Sequence, residues 1–545
     1  MKRVWLLLTY VQLGYGIQVS PTYAPPIVEV PAPTDLEIIE KVKEITEQFS
    51  LSLQEEATTA KPLLGKKSNK VKVDFKYHSH DEFTELLKYI NITFPRLTHL
   101  YSIGKSIEGR DLWAIAIGPI PRRHVLGRPE VKLIGNILGN EPITKELLLQ
   151  LISFLVNSYQ SNSGVRSLLN KMRLHVLPSM NPDGAEKYHN SNVTMCRGPT
   201  EGRKNAADVD LNRSFPHIFG KTPKSGPAPE RDAIQKWMEE IPFVMSISFR
   251  SGAVVATYPY DSASFEDRKH AAVFSAGNIE SLTPDDDMFR HLASTYATNH
   301  DSMFLGRPCN IDGRTTDLGF PNGTINGASW QVMKGSMQDY NYAKHGILEI
   351  TAYISCCKYI EPHDIEKVWL DNRNALQLIL AEVNRGVRGF VKNTDGMPVP
   401  NATAYIIGRE TANFSTTAHG EFWRLLLPGY YTIEFKAEGY ELAIIPFIVE
   451  EEKPLVLNIT MKTVSVSTTL IENSTYVEST KYTEIVGDGY YFGDGEISTS
   501  TRLVPYENIL LVYTRQEKDF TSDGAPSRAL NVVFIVVFLS ATWLL

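Results

Sequence analysis

The residues able to do chemistry here are a few charged groups that follow apolar strands. Glu141 comes after Lys132-Leu133-Ile134-Gly135-Asn136-Ile137-Leu138-Gly139-Asn140, where an apolar strand breaks at a Gly-Asn turn and a helical run begins at Lys145. Arg250 follows the apolar run Phe243–Ser248 and carries the opposite charge. A guanidinium is permanently cationic and only donates hydrogen bonds, so it repels a divalent ion and is a natural partner for Glu141. Tyr353 has an ordinary pKa near 10 and is a poor proton acceptor for water at neutral pH. Asn212 and Asp261 also lie just past or near apolar strands. The histidines offer no metal-ligand spacing to Glu141. His175 sits inside an apolar strand and reads as core, while His124, His189, His217 and His345 lie in polar stretches read as loops.

Positioning these groups requires a sheet whose strand ends meet. From Tyr77 to about Asn384, strands such as Leu112–Ile117, Val131–Ile134, Leu174–Leu177 and Phe243–Ser248 alternate with helical runs at Thr84–Ile90, Lys145–Tyr159, Pro229–Glu240 and Ile365–Val383. That alternation predicts an α/β domain, a doubly wound mixed sheet with helices on both faces and its site beyond the strands' carboxyl ends. After Gly386 the texture changes to short strands around 389–392, 404–407, 422–425 and 431–435, separated by Gly, Pro and Asn. This predicts a small antiparallel β-sandwich, with Phe422-Trp423 in its core and Glu450-Glu451-Glu452 as a solvated turn.

At 545 residues, 43% hydrophobic, the chain is long enough for several cores. A formal charge of −7 without a basic stripe excludes nucleic acid as a partner class. Lys2-Arg3 before Val4-Trp5-Leu6-Leu7-Leu8 predicts a signal peptide over 1–24, followed by a Pro-rich, helical extension over 25–75 that need not pack on the main domain. A capping box at Thr34-Asp35-Leu36-Glu37 opens its helix. The α/β domain is set at 76–384 and the sandwich at 385–463. A Ser/Thr-rich stalk with little strand periodicity follows over 464–522. The apolar end at 523–545, with small residues at Ser522-Asp523-Gly524-Ala525, predicts a lipid-anchor (GPI-type) signal, with a retained hydrophobic anchor as the alternative. Sequons at Asn91, Asn192, Asn212, Asn322, Asn401, Asn413, Asn458 and Asn473 agree with a secretory route to the cell surface, all but Asn212 being candidates for glycosylation. Cys196, Cys309, Cys356 and Cys357 permit two disulfides. The neighbouring Cys356 and Cys357 are poor partners for each other, so a bridge from one of them to Cys309 or Cys196 is expected.

Six longer blocks carry a resemblance: Ile107-Glu108-Gly109-Arg110-Asp111-Leu112, Pro178-Ser179-Met180-Asn181-Pro182-Asp183-Gly184, Asp210-Leu211-Asn212-Arg213-Ser214-Phe215-Pro216, Asn326-Gly327-Ala328-Ser329-Trp330, Met337-Gln338-Asp339-Tyr340-Asn341-Tyr342 and Ser355-Cys356-Cys357-Lys358-Tyr359. Together they resemble the metallocarboxypeptidases of the N/E/M/D group, with residues 77–462 covering a carboxypeptidase domain and its transthyretin-like sandwich. The lipid-anchor signal is the arrangement of the carboxypeptidase M branch. Active members of the group remove C-terminal Lys or Arg with a zinc held by two His and a Glu, plus a second Glu that activates water. Such a site needs three protein ligands and an open fourth position.

By that resemblance the first His position is Leu138, the ligand Glu is Glu141 and the second His position is Arg250, within Phe249-Arg250-Ser251-Gly252-Ala253-Val254-Val255-Ala256. The catalytic Glu position, counted from Asp339, is Tyr353, and the Tyr that closes over substrate is replaced by Gln331. The resemblance implies that Asn212 and Arg213 grip a terminal carboxylate, that Arg203 meets the carbonyl oxygen, and that Asp261 and Gln338 receive a Lys or Arg side chain. These groups have an alternative role in satisfying the fold's internal hydrogen bonds. The expectation is an inactive carboxypeptidase-like protein without zinc, holding peptides or proteins that end in Lys or Arg. The alternatives are an active zinc carboxypeptidase with relocated ligands, and an adhesion or matrix-interaction module.

Overall fold

A computed structural model of the chain describes residues 70–189, 196, 201–222, 225–264, 280–311, 314–315, 317, 319–451 and 453–464, together with the backbone of strands at 498–506, 509–517 and 535–537. The chain divides into two units, Met1–Ser465 and Val466–Leu545. The signal peptide, the helix opening at Thr34 and the sequons at Asn192 and Asn473 lie outside the described residues.

The first unit begins with residues that pack on the main domain. Val71 and Val73 are buried in the main core, and their backbone is tied to a long helix by Asn157, Ser153 and Gln150. The expectation of an independent 25–75 extension is therefore corrected at its C-terminal end. The polar, Lys-rich surroundings masked two alternating valines. Helix α1 (His80–Thr93) starts at a capping box, Ser79 accepting from the Glu82 backbone and Glu82 accepting from the Ser79 backbone, and buries Phe83, Leu87 and Ile90.

The central sheet has eight strands. In chain order they are β1 (Thr98–Lys105), β2 (Asp111–Ile117), β3 (Glu130–Ile134), β4 (Arg173–Leu177), β5 (Phe243–Arg250), β6 (Ala253–Tyr258), β7 (Thr324–Asn326) and β8 (Leu348–Ser355). Their spatial order is β1-β2-β4-β3-β5-β8-β6-β7. Strands β4, β3, β5 and β8 run parallel, whereas β1 with β2, β2 with β4, and β8 with β6 are antiparallel, which makes the sheet mixed. The parallel strands are buried on both faces. The charged residues they bury are paired, Lys132 with Glu349 at 3.2 Å and Glu130 with Arg173 at 2.7 Å. Helix α2 (Ile143–Ser158) is buried on nearly every side, and its buried polar residues Lys145, Glu146, Gln150 and Ser153 bond the backbone of the segment 71–78. Two parallel pairings bring chemistry together: Ile134 at the end of β3 lies beside Ser248 of β5, and Arg250 of β5 lies directly beside Tyr353 of β8.

The sandwich stacks a three-stranded sheet of Glu421–Arg424, Val387–Asn393 and Leu455–Met461 on a four-stranded sheet of Phe414–Ser415, Thr403–Ile406, Gly429–Lys436 and Ala443–Val449. Phe422 is core as expected. Trp423 is half-buried and packs on the core of the α/β domain instead. The same strand seats the sandwich through charge. Arg424 and Arg409 meet the buried Asp285, Arg409 at 2.8 Å, and Glu421 accepts from Gly127 N at 2.6 Å and pairs with His124 at 3.0 Å.

Several local expectations change. His124 is a bridging residue between the two domains, and His189 and His345 close helices Pro182–His189 and Met337–His345, because each follows a run with helical φ/ψ that its polarity alone did not reveal. His175 is buried as expected, but it bonds Glu130 and Tyr101. Glu450 and Glu451 are exposed, Glu451 pairing with Arg385 at 2.8 Å. Asn322, Asn401, Asn413 and Asn458 are exposed, whereas Asn91 is half-buried and accepts from the Leu100 backbone at 3.0 Å. In the second unit, Ser498–Tyr506 pairs antiparallel with Ile509–Glu517, and that strand pairs with Ile535–Val537. Strands thus run within the segment read as a stalk without strand periodicity. Among the described residues no helix is long and apolar enough to cross a membrane.

Candidate active-site cleft

The loop after β3 fixes Glu141. Asn136 adopts the left-handed conformation (φ 51°), and its side-chain amide donates to the carbonyls of Leu138 and Gly139 at 2.9 and 3.2 Å. Ser179 donates to the same amide's oxygen at 2.9 Å. Gly139 packs so closely on Gly184 that a β-carbon would lie 2.2 Å from its carbonyl carbon, which no side chain tolerates. The loop turns Leu138 inward, where it is fully buried in an apolar cluster with Ile134, Met180 and Leu211. Leu138 therefore belongs to the core and does not line the cleft.

Glu141 is fully buried, and its carboxylate accepts from four directions. Arg250 donates through Nε at 2.8 Å and Nη2 at 3.3 Å, the Ser251 backbone at 3.2 Å and Lys358 Nζ at 3.0 Å. Burial alone would raise the Glu141 carboxyl, but Arg250 and then Lys358 outweigh it and hold the pKa at about 2. Burial correspondingly acts to lower the Arg250 guanidinium, yet Glu141 drives it above its ordinary range. The ion pair foreseen from residue type is present. Lys358 was not foreseen. Its signal was its position directly after Cys357, three residues past the strand end that carries Tyr353.

Two disulfides place that lysine. Cys196 bonds Cys357 and Cys309 bonds Cys356, so the neighbouring cysteines reach different partners as expected. The Lys358 backbone donates to Cys196 O at 2.8 Å, which anchors the residue to the bridged segment. Tyr353 lies under the Arg250 guanidinium, 5.3 Å from ring centroid to Cζ, with Trp330 edge-on at 4.9 Å. Burial pushes its phenol above the ordinary value, further from any role as a base.

The residues matched to substrate binding converge on the same cleft, with one exception. Glu141, Arg203, Asn212, Arg213, Arg250, Asp261, Gln331, Tyr353 and Lys358 all line one cavity of about 200 Å³. Gln338 does not reach it. It sits behind Asp261, donating to Asp261 Oδ1 at 3.2 Å and accepting from Thr351 at 2.8 Å. Arg203 is held by Asp210 through Nε at 3.1 Å and Nη2 at 2.9 Å, and Arg213 stands 3.9 Å from the same carboxylate with its side chain 39% exposed. Asn212 donates to Met333 Sδ at 3.0 Å. Asp261 is held by its own backbone N–H, which donates to Asp339 at 2.7 Å. Burial raises the Asp261 carboxyl to about 6, against a hydrogen bond from Ser336 and the fields of Arg250 and Arg213. Gly327 makes room for it, since a β-carbon there would lie 2.0 Å from Asp261 Oδ1.

A zinc ion needs several lone pairs directed at one point. At the matching positions there is one carboxylate, already bonded to two cations, together with a buried leucine and a guanidinium. These residues do not fit the metal. Guanidinium and ammonium groups occupy the space against Glu141 and put positive charge where the ion would sit.

The comparisons with known proteins agree with the fold. A zinc carboxypeptidase profile of the peptidase M14 family matches residues 83–375, and a carboxypeptidase regulatory-like domain matches 386–462. Carboxypeptidase M of Mus musculus is 38% identical over 372 residues, spanning 68% of this chain and 80% of that protein. The carboxypeptidase N catalytic chain of Homo sapiens is 36% identical over 416 residues, 72% of this chain and 86% of that one. Carboxypeptidase D of Anas platyrhynchos is 38% identical, and the chain spans only 25% of its length. Among solved structures, thrombin activatable fibrinolysis inhibitor superposes with a TM-score of 0.45 at 16% identity, covering 58% of this chain and 79% of that one. The chain belongs to the peptidase M14 family of zinc carboxypeptidases, with the regulatory-like β-sandwich that follows the peptidase domain.

Proposed function

We propose that this protein is a non-catalytic member of its family that works outside the cell, holding peptides with C-terminal Lys or Arg in the cleft without cleaving them. The observation that carries this reading is the ion pair of Glu141 with Arg250 at 2.8 Å, reinforced by Lys358. It fills the centre from which an activated water would attack. Tyr353 supplies no base, and Leu138 supplies no ligand. The carboxylate-binding groups are nevertheless retained: Arg213 is partly exposed in the cavity, and Asp261 lies in the same cavity to receive an ammonium or guanidinium. Two disulfides support an oxidising, extracellular location, where a lipid anchor attaches the protein to the membrane.

The test uses purified protein and a peptide ending in Lys. No free Lys is expected, with or without a chelator, while calorimetry is expected to show binding that Arg213→Ala removes. Release of Lys that a chelator abolishes would overturn the reading in favour of an enzyme with relocated ligands. A second reading, an adhesion module, is favoured by the sandwich's outer face, where Ile407, Tyr430, Phe447 and Ile448 border an open depression of about 540 Å³. Peptide binding that Arg213→Ala leaves intact, or no binding at all, would favour that reading.

A further inference from the structure

The charges in the cleft do not cancel. Four cations line it, Arg203, Arg213, Arg250 and Lys358, against the carboxylates of Glu141 and Asp261. Asp210, behind Arg203, is the partner of that arginine. Glu141 is neutralised by Arg250 alone, so Lys358 brings a further positive charge to a cluster that is already balanced. An excess charge at a largely buried place is costly unless something compensates it. Lys358 also has donors to spare: an ammonium carries three N–H bonds, and Glu141 takes one. Its side chain is 21% exposed, the most open of the groups that touch Glu141.

A second and independent observation lies beside it. Ser251 lines the same cavity and is 2% exposed, and its hydroxyl has no hydrogen-bond partner. A buried hydroxyl without a partner is rare in folded proteins. Here it sits next to the backbone N–H that already points at Glu141. An ammonium with free N–H bonds and an idle hydroxyl lining one cavity are the donors an oxyanion takes.

We propose that Lys358 and Ser251 form a second anion subsite, so that the cleft takes peptides with two acidic groups: a terminal carboxylate on Asn212-Arg213 and a side-chain carboxylate from the preceding residue on Lys358 and Ser251. This deepens the reading of the cleft as a holder of C-terminal Lys or Arg, and it rests on that reading. On that reading Asn212-Arg213 and Asp261 take the terminal residue's carboxylate and side chain, which leaves Lys358 and Ser251, lining the same cavity, for the residue before it. The second acidic group therefore comes from that preceding residue. The favoured ligand class is a chain ending in Asp or Glu followed by Lys or Arg.

Two peptides that differ only in an amide for a carboxylate test this, one ending in Asp-Lys and the other in Asn-Lys, measured by calorimetry on the full folded chain. The Asp peptide is expected to bind at least about tenfold more tightly, as close charge pairs in interfaces do. Lys358→Met is expected to bring the two affinities together. Ser251→Ala removes a hydroxyl that bonds nothing and so spares the fold, and it is expected to narrow the gap. If the Asn peptide binds and the Asp peptide binds no better, or the preference survives Lys358→Met, the subsite is overturned while the terminal-Lys reading stands. If neither peptide binds, the terminal-Lys reading falls, and the subsite with it.

Discussion

At the scale of single residues, Glu141 decides the character of the cleft. Its carboxylate is fully buried and serves two cations, so removing it strands Arg250 and Lys358 without a counter-charge. Glu141→Gln is expected to cost about 3 to 5 kcal/mol in urea unfolding, in the range for breaking a buried pair. Arg250→Met is expected to cost less, because Lys358 and the Ser251 backbone still serve the carboxylate. The folded pKa of Glu141 is depressed from 4.5 to about 2. The stability this residue contributes is therefore complete above pH 4.5 and is lost as the pH falls toward 2. Acid unfolding that is equally steep in Glu141→Gln and in the parent would contradict it. This pair was legible from residue type, since a permanently charged donor beside a lone carboxylate has few other fates. Lys358 was not legible, because what brings it to Glu141 is a disulfide whose pairing composition leaves open.

At the scale of elements, the four apolar runs read as strands fall on β2, β3, β4 and β5, while β1, β6, β7 and β8 were not among them, and the pairing of β5 with β8 explains why Arg250 and Tyr353 meet. Period and polarity did not show where an element docks. Val71 and Val73 lay hidden in a polar stretch, and Trp423 looked like sandwich core but faces the neighbouring domain. His124 is the clearest case. A lone histidine in a polar run proved to join Glu130 of β3 at 2.5 Å to Glu421 of the sandwich at 3.0 Å. Burial opposes its charge, but the two carboxylates raise its pKa from 6.5 to about 9. The facing groups include Arg173 and His175, both bonded to Glu130. A raised histidine contributes stability that is complete below pH 6.5 and is lost as the pH rises through 9. Thermal unfolding is expected to show the transition temperature falling between those limits, and His124→Gln to flatten that slope. An unchanged slope in the variant would rule out His124 as the group responsible.

At the scale of the whole molecule, the carboxypeptidase scaffold is retained while the atoms at its centre have changed chemistry. The α/β domain and the sandwich follow the family, and Arg203, Asn212, Arg213 and Asp261, matched by motif to substrate binding, line one cavity. Gln338 departs by lying one layer deeper, a matter of side-chain packing that motif position does not encode. At the positions matched to the zinc ligands stand a leucine turned into the core and one carboxylate bonded to two cations. The most direct test is the zinc content of the purified, fully folded protein after exposure to excess zinc and desalting. Zinc far below one atom per chain is expected, because Arg250 and Lys358 already hold Glu141. Close to one tightly held atom per chain, lost on Glu141→Gln, would contradict it.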